Sequence, residues 1–96
     1  MSGGTAGPLE RDLPIINKRG LHARAAAKFV QTVERFDAAI TVTKDGQSVG
    51  GDSIMGLMML AAAPGTSIHV AASGADAGPA LDAIAALLAD RFGEEE

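Results

Sequence analysis

The residues of this chain with the clearest capacity for chemistry lie in Gly20-Leu21-His22-Ala23-Arg24-Ala25-Ala26-Ala27-Lys28-Phe29-Val30, where one histidine stands between a glycine turn and an alanine-rich helix start. The first N–H groups of a helix have no intrahelical acceptor, and the aligned peptide dipoles leave partial positive charge at that end. Such an end binds anions, and Arg24, two positions after the histidine, adds a planar, permanently charged set of donors. An imidazole held beside an anion site is suited to carry a phosphoryl group on a ring nitrogen. His22 is therefore the candidate acceptor, attacking as the neutral imidazole, with Arg24 and the backbone N–H of Ala23 holding the phosphate. A carrier must also release its cargo. Hydrogen bonds to charged groups contribute roughly 1.5–3 kcal/mol each and about 1.4 kcal/mol is tenfold in equilibrium, so a shallow site with few donors suits reversible transfer.

Charge and composition narrow the remaining possibilities. The net charge is −4, yet Lys18, Arg19, Arg24 and Lys28 are half of the eight basic residues, and no acid lies between Asp12 and Glu34. A positive patch on an acidic protein attracts an acidic or phosphorylated partner surface, although four basic residues alone also describe an ordinary solvated face. Ninety-six residues make one small domain with little room for a deep cavity. The absence of Trp and Tyr disfavours base-stacking nucleic-acid modules. Without cysteine and with only two distant histidines, neither a metal centre nor a disulfide framework is expected, and no cofactor is called for. No apolar run is long enough to span a bilayer and no signal peptide is evident, so a cytoplasmic protein without membrane partners is expected.

The elements that must position His22 follow from local pattern. Residues 1–9 read as a flexible tail, 10–93 as the domain and 94–96 as a solvated acidic tail. A strand and turn run from Arg11 to Gly20. Ala26, Phe29, Val30 and Val33 then form an apolar helix stripe, with Lys28, Gln31, Glu34 and Arg35 turned outward. Ala39–Lys44 alternates as a half-buried strand, Asp45-Gly46 signals a hairpin, and Gln47–Val49 supplies its partner. Ser53 offers an N-cap to a short apolar helix. If that helix packs through Leu57 and Leu60, then Ile54, Met55 and Met58 form an exposed patch suited to several partners; a simple core helix is the alternative. Thr66–Ala72 is another strand, on which His69 faces outward as a structural residue. Asp76 can cap a last helix whose buried stripe is Leu81, Ile84, Leu88 and Phe92. The order β-α-β-β-α-β-α implies an α+β domain, an antiparallel sheet with helices on one face.

At this level of detail Gly20-Leu21-His22-Ala23-Arg24, with Ala26-Ala27 and Phe29-Val30, resembles the active-site segment of the HPr phosphocarriers of the bacterial phosphoenolpyruvate-dependent phosphotransferase system. Ser53-Ile54-Met55-Gly56-Leu57-Met58 resembles the family's regulatory serine segment. The resemblance implies an open-faced sandwich with a four-stranded antiparallel sheet of order 1-4-2-3 and three helices on one side. It implies that His22 takes phosphate on Nδ1 from phosphorylated enzyme I, that Arg24 interacts with it, and that an enzyme IIA receives it. The chain would then be a transfer intermediate rather than an independent enzyme. Arg24, Ala27, Lys28, Ile54, Met55 and Met58 would form the docking surface, and Ser53 would be a target of the family's kinase/phosphorylase. Ala25 departs from the family, which usually has proline there; a first-turn position tolerates either residue.

Asn17-Lys18, Met58-Met59-Leu60 and Phe92-Gly93-Glu94-Glu95 look like the nitrogen-related, regulatory branch, whereas Ser53-Ile54-Met55-Gly56 looks equally like sugar-uptake carriers under kinase control. Two readings from other classes stand beside these. One is an HPr-like protein-binding domain without phosphotransfer. The other, a phosphohistidine hydrolase, would need a positioned acid, and none is near His22 in sequence.

Overall fold

The computed structural model describes residues 8–94. Its elements are β1 (Leu9–Pro14), α1 (Ala23–Val33), β2 (Ala39–Lys44), β3 (Gln47–Gly50), α2 (Ile54–Met59), β4 (Ser67–Ser73) and α3 (Ala77–Ala89), followed by a 3₁₀ turn at Arg91–Gly93. The strands form one antiparallel sheet in the order β1-β4-β2-β3, as the resemblance implies. Leu9 opens β1, one residue earlier than the expected domain start. The rest of the expected N-terminal tail, 1–7, and residues 95–96 lie outside the described residues.

Alternation along the strands decides which sheet face is covered. Ile68, Val70 and Ala72 of β4, Ile40 and Val42 of β2 and Leu13 of β1 are buried in one core with Phe29 and Val30 of α1, Leu57 of α2 and Leu81, Ile84 and Leu88 of α3. The intervening residues stand on the helix-free face. The β2–β3 hairpin turns through Asp45 and Gly46 at φ 52° and 80°, the left-handed pair that matches strand twist in a two-residue hairpin.

Two expectations for the last helix are corrected. Asp76 occupies the N-cap position of α3 but makes no side-chain cap; its φ/ψ of −107°/26° is not the extended conformation a cap needs. Its carboxylate instead accepts the Asp37 N–H at 2.8 Å, while its own N–H donates to the Asp37 carbonyl at 2.9 Å, tying the start of α3 to the loop before β2. Phe92 is buried, but not as part of the helical stripe. α3 ends at Ala89, and Arg91 and Phe92 take left-handed φ values of 54° and 56°, which turn the chain back toward α1.

Candidate functional site

His22 is the N-cap residue of α1, with an extended φ/ψ of −80°/−179° and no side-chain cap bond. Its carbonyl accepts the first intrahelical N–H, from Ala26 at 2.8 Å. The N–H groups of Ala23, Arg24 and Ala25 therefore precede the helical ladder and have no intrahelical acceptor. The His22 ring is free of the capping task and only partly exposed, at 23%.

The loop before the helix fixes this geometry. Gly20 has φ +68°, and a Cβ there would lie 2.5 Å from the Ala62 carbonyl oxygen, so both conformation and space require glycine. This close approach lets the Leu21 N–H donate to the Ala62 carbonyl at 2.9 Å. Asn17, fully buried, donates from Nδ2 to the Gly20 carbonyl at 2.8 Å. Its Oδ1 has no hydrogen-bond partner among the described residues.

The C-terminal turn completes the site. Phe92, 1% exposed, anchors it in the core, and its carbonyl accepts Lys28 Nζ at 2.6 Å. Lys28 is thus half-buried and engaged, not turned outward as the helix pattern suggests. Glu94 follows, with Oε2 2.5 Å from His22 Nε2 and Oε1 accepting Asn17 Nδ2 at 3.3 Å. The hydrogen bond to His22 is the main cause that holds the Glu94 carboxyl below its ordinary range; Asn17 and the Arg19 charge act in the same direction, against burial. The sequence pattern puts Glu94 in a solvated tail, and the fold corrects that expectation: no acid is near His22 in sequence, but the left-handed turn at 91–92 brings a carboxylate to it across 72 residues. Neither Glu94 nor Asn17 is legible as a site residue from pattern alone; the one local signal is the apolar Phe92 followed by Gly93, which fits a chain reversal ending at the core.

The other sequence candidates fall into two groups. Ala23 and Arg24 are exposed at the helix start, and Arg24 makes no hydrogen bond or ion pair among the described residues; its guanidinium is therefore available to an incoming anion. Ala27 is half-buried on the same helix. Ser53 caps α2, its Oγ accepting the Gly56 N–H at 3.0 Å, a contact of a kind that contributes about 0.5–2 kcal/mol against alanine. α2 packs beside α1 and buries Leu57, with its C-cap residue Leu60 also buried, leaving Ile54, Met55, Met58 and Met59 exposed. His69 lies on the opposite, helix-free face, where Nδ1 and Nε2 contact Asp12 at 2.7 Å and Glu10 at 2.6 Å. No cluster of metal-ligating side chains occurs among the described residues.

This architecture, an exposed anion-receptive helix start carrying a histidine on an open-faced sandwich, has close counterparts. The family model described as the PTS HPr component phosphorylation site matches residues 9–90. The phosphocarrier protein HPr of Neisseria meningitidis serogroup A is 51% identical over 88 residues, covering 92% of this chain and 99% of its own. The phosphocarrier protein NPr of Shewanella violacea is 44% identical over 86 residues, covering 90% and 94%. Among solved structures, HPr from Thermoanaerobacter tengcongensis superposes with a TM-score of 0.87 at 43% identity, covering 92% of this chain and 99% of that one. The chain belongs to the HPr family of phosphocarriers of the phosphotransferase system.

Proposed function

We propose that the chain accepts a phosphoryl group on His22 from phosphorylated enzyme I, ultimately from phosphoenolpyruvate, and passes it to an enzyme IIA. The observation that carries this reading is the position of His22 at the start of α1, beside three N–H groups without intrahelical acceptors and an Arg24 guanidinium that has no partner among the described residues. The imidazole is the nucleophile, and the Ala23 N–H and Arg24 receive the phosphate. Arg24, Ala27, Lys28 and the exposed Ile54, Met55 and Met58 supply the surface on which donor and recipient dock in turn. A carrier of this kind acts in the cytoplasm, and among the described residues no helix is long and apolar enough to cross a membrane.

The recipient is assigned to the regulatory, nitrogen-type branch on Asn17-Lys18, Met58-Met59-Leu60 and the Phe92-Gly93-Glu94-Glu95 ending. A second reading, a sugar-uptake carrier controlled at Ser53, is favoured by one observation: Ser53 begins α2 beside the exposed methionines, where a phosphate would add negative charge to the docking surface. That reading adds a kinase/phosphorylase as partner.

Intact mass after incubation with phosphoenolpyruvate and an active enzyme I tests the carrier chemistry. Wild type is expected to gain one acid-labile phosphoryl group and His22→Ala none. An unmodified wild type under those conditions would leave a protein-binding domain as the function. Transfer from the phosphorylated chain to nitrogen-type and sugar-type enzyme IIA proteins, compared side by side, assigns the branch.

A further inference from the structure

The short helix α2 sorts its side chains by chemistry as well as by burial. Leucine holds the buried positions, Leu57 and the C-cap Leu60, whereas methionine holds exposed ones: Met55 at 70%, Met59 at 66% and Met58 at 39%. Offsets of three and four residues put these three thioethers on one helix face. The chain has four methionines and no cysteine, tryptophan or tyrosine, and Met1 lies outside the described residues. The readily oxidised side chains of the described residues are therefore gathered on one patch, and the docking surface proposed for donor and recipient coincides with it. None of the three belongs to the core. The helix itself is held by the packing of Leu57 and by the Gly56 N–H donated to Ser53 Oγ, groups that an oxidant of thioethers leaves untouched.

We propose that Met55, Met58 and Met59 form a reversible oxidation site, at which a peroxide converts thioether to sulfoxide and closes the docking surface while the fold stays intact. The inference rests on the reading of this patch as the surface on which enzyme I and enzyme IIA dock. In the step, an Sδ lone pair forms a bond to one oxygen of hydrogen peroxide while the O–O bond breaks. The departing hydroxide takes the proton of the transferred oxygen, leaving sulfoxide and water; sulfur is oxidised by two electrons and the peroxide reduced by two. The flexible apolar side chain that suits several partners becomes polar and chiral. A docking partner would have to strip water from the new acceptor oxygen without replacing its hydrogen bond. Methionine sulfoxide reductases return the thioether, so the change is one that a cell can undo.

The test uses the full chain treated with hydrogen peroxide and then freed of it. Peptide mass mapping over time is expected to show oxygen gained first at Met55 and Met59 and later at Met58, while far-UV circular dichroism and the urea midpoint keep their untreated values. For phosphoryl transfer from phosphorylated enzyme I, KM is expected to rise about ten- to a hundredfold with little change in the maximal rate, the signature of lost docking contacts. Treatment with methionine sulfoxide reductases for both epimers should restore it. A Met55→Leu, Met58→Leu, Met59→Leu variant, whatever its starting KM, should keep that value through the same peroxide treatment. An unchanged KM in fully oxidised wild type would overturn the proposal, as would an equal rise in the leucine variant or a loss of fold on oxidation. Met55→Gln combined with Met58→Gln, never exposed to peroxide, tests the premise separately. A wild-type KM in that variant would remove the docking reading itself, whereas a raised KM there beside an unaffected oxidised wild type would remove the oxidation site alone.

Discussion

Asn17 is the side chain through which the acceptor loop and the C-terminal turn are joined. One amide donates to the Gly20 carbonyl at 2.8 Å and to Glu94 at 3.3 Å, from a position with no solvent exposure. Removing a buried donor strands its acceptors, at a cost of about 1–3 kcal/mol. Asn17→Ala is therefore expected to lower the urea midpoint with an unchanged m-value and to loosen the Glu94 contact, seen as faster hydrogen exchange at residues 92–94. An unaltered midpoint would mean that water replaces the amide at no cost. Gly20 acts at the same scale through what it lacks: the Cβ that would meet the Ala62 carbonyl at 2.5 Å.

Among the elements, the pairing of β1 with β4 carries a titratable lock. His69 stands opposite Asp12 and diagonal to Glu10 on the helix-free face. Its imidazole is held above its ordinary value chiefly by the hydrogen bond to Asp12 and then by that to Glu10, against desolvation. A histidine whose folded pKa is raised contributes stability that is fully present below the unfolded value, about 6.5, and lost as pH rises through the folded value. Denaturation midpoints of wild type and His69→Gln should thus differ most near pH 5.5 and converge on the alkaline side of the folded pKa. A difference that grew with pH would contradict this assignment. The contribution is modest because the imidazole is 39% exposed. The Arg11–Asp82 pair that links β1 to α3 at 2.7 Å is more exposed still and adds little.

For the molecule as a whole, a net charge of −4 coexists with a basic region at the start of α1. Folding thins that region. Lys28 is engaged by the Phe92 carbonyl, and Glu94 brings one negative charge into the region. Arg24, at the helix start, makes no hydrogen bond or ion pair among the described residues. Long-range steering toward an acidic partner falls with ionic strength as the Debye length shrinks from about 10 Å at 0.1 M to about 3 Å at 1 M. The association rate with enzyme I, measured by stopped flow, should therefore fall several-fold over roughly that salt range, and Arg24→Gln should flatten the dependence. A salt-independent rate would assign docking to the methionine patch of α2 alone.

Much of this fold is local and legible in the residues themselves. The alternation at 39–44, the Asp45-Gly46 turn, the Ser53 cap and the stripe of α1 all depend on residues within a few positions of one another, where backbone sterics and hydrogen-bond geometry leave few choices. His22 and Arg24 are legible for the same reason: a glycine turn and an alanine-rich run place them at a helix start. The sheet order follows from the motif's resemblance, and the covered face from the alternation of apolar residues. What the tertiary structure alone decided are contacts between distant residues: Glu94 on His22, 72 positions apart, Asp76 on Asp37, 39 apart, and Glu10 and Asp12 on His69, 59 and 57 apart. No periodicity encodes them, because each depends on a strand register or on a left-handed turn that re-aims the chain. The sequence by itself determined which histidine stands at an anion-receptive helix start. Only folding, by setting a carboxylate against one ring nitrogen, decided which nitrogen of that histidine is left open.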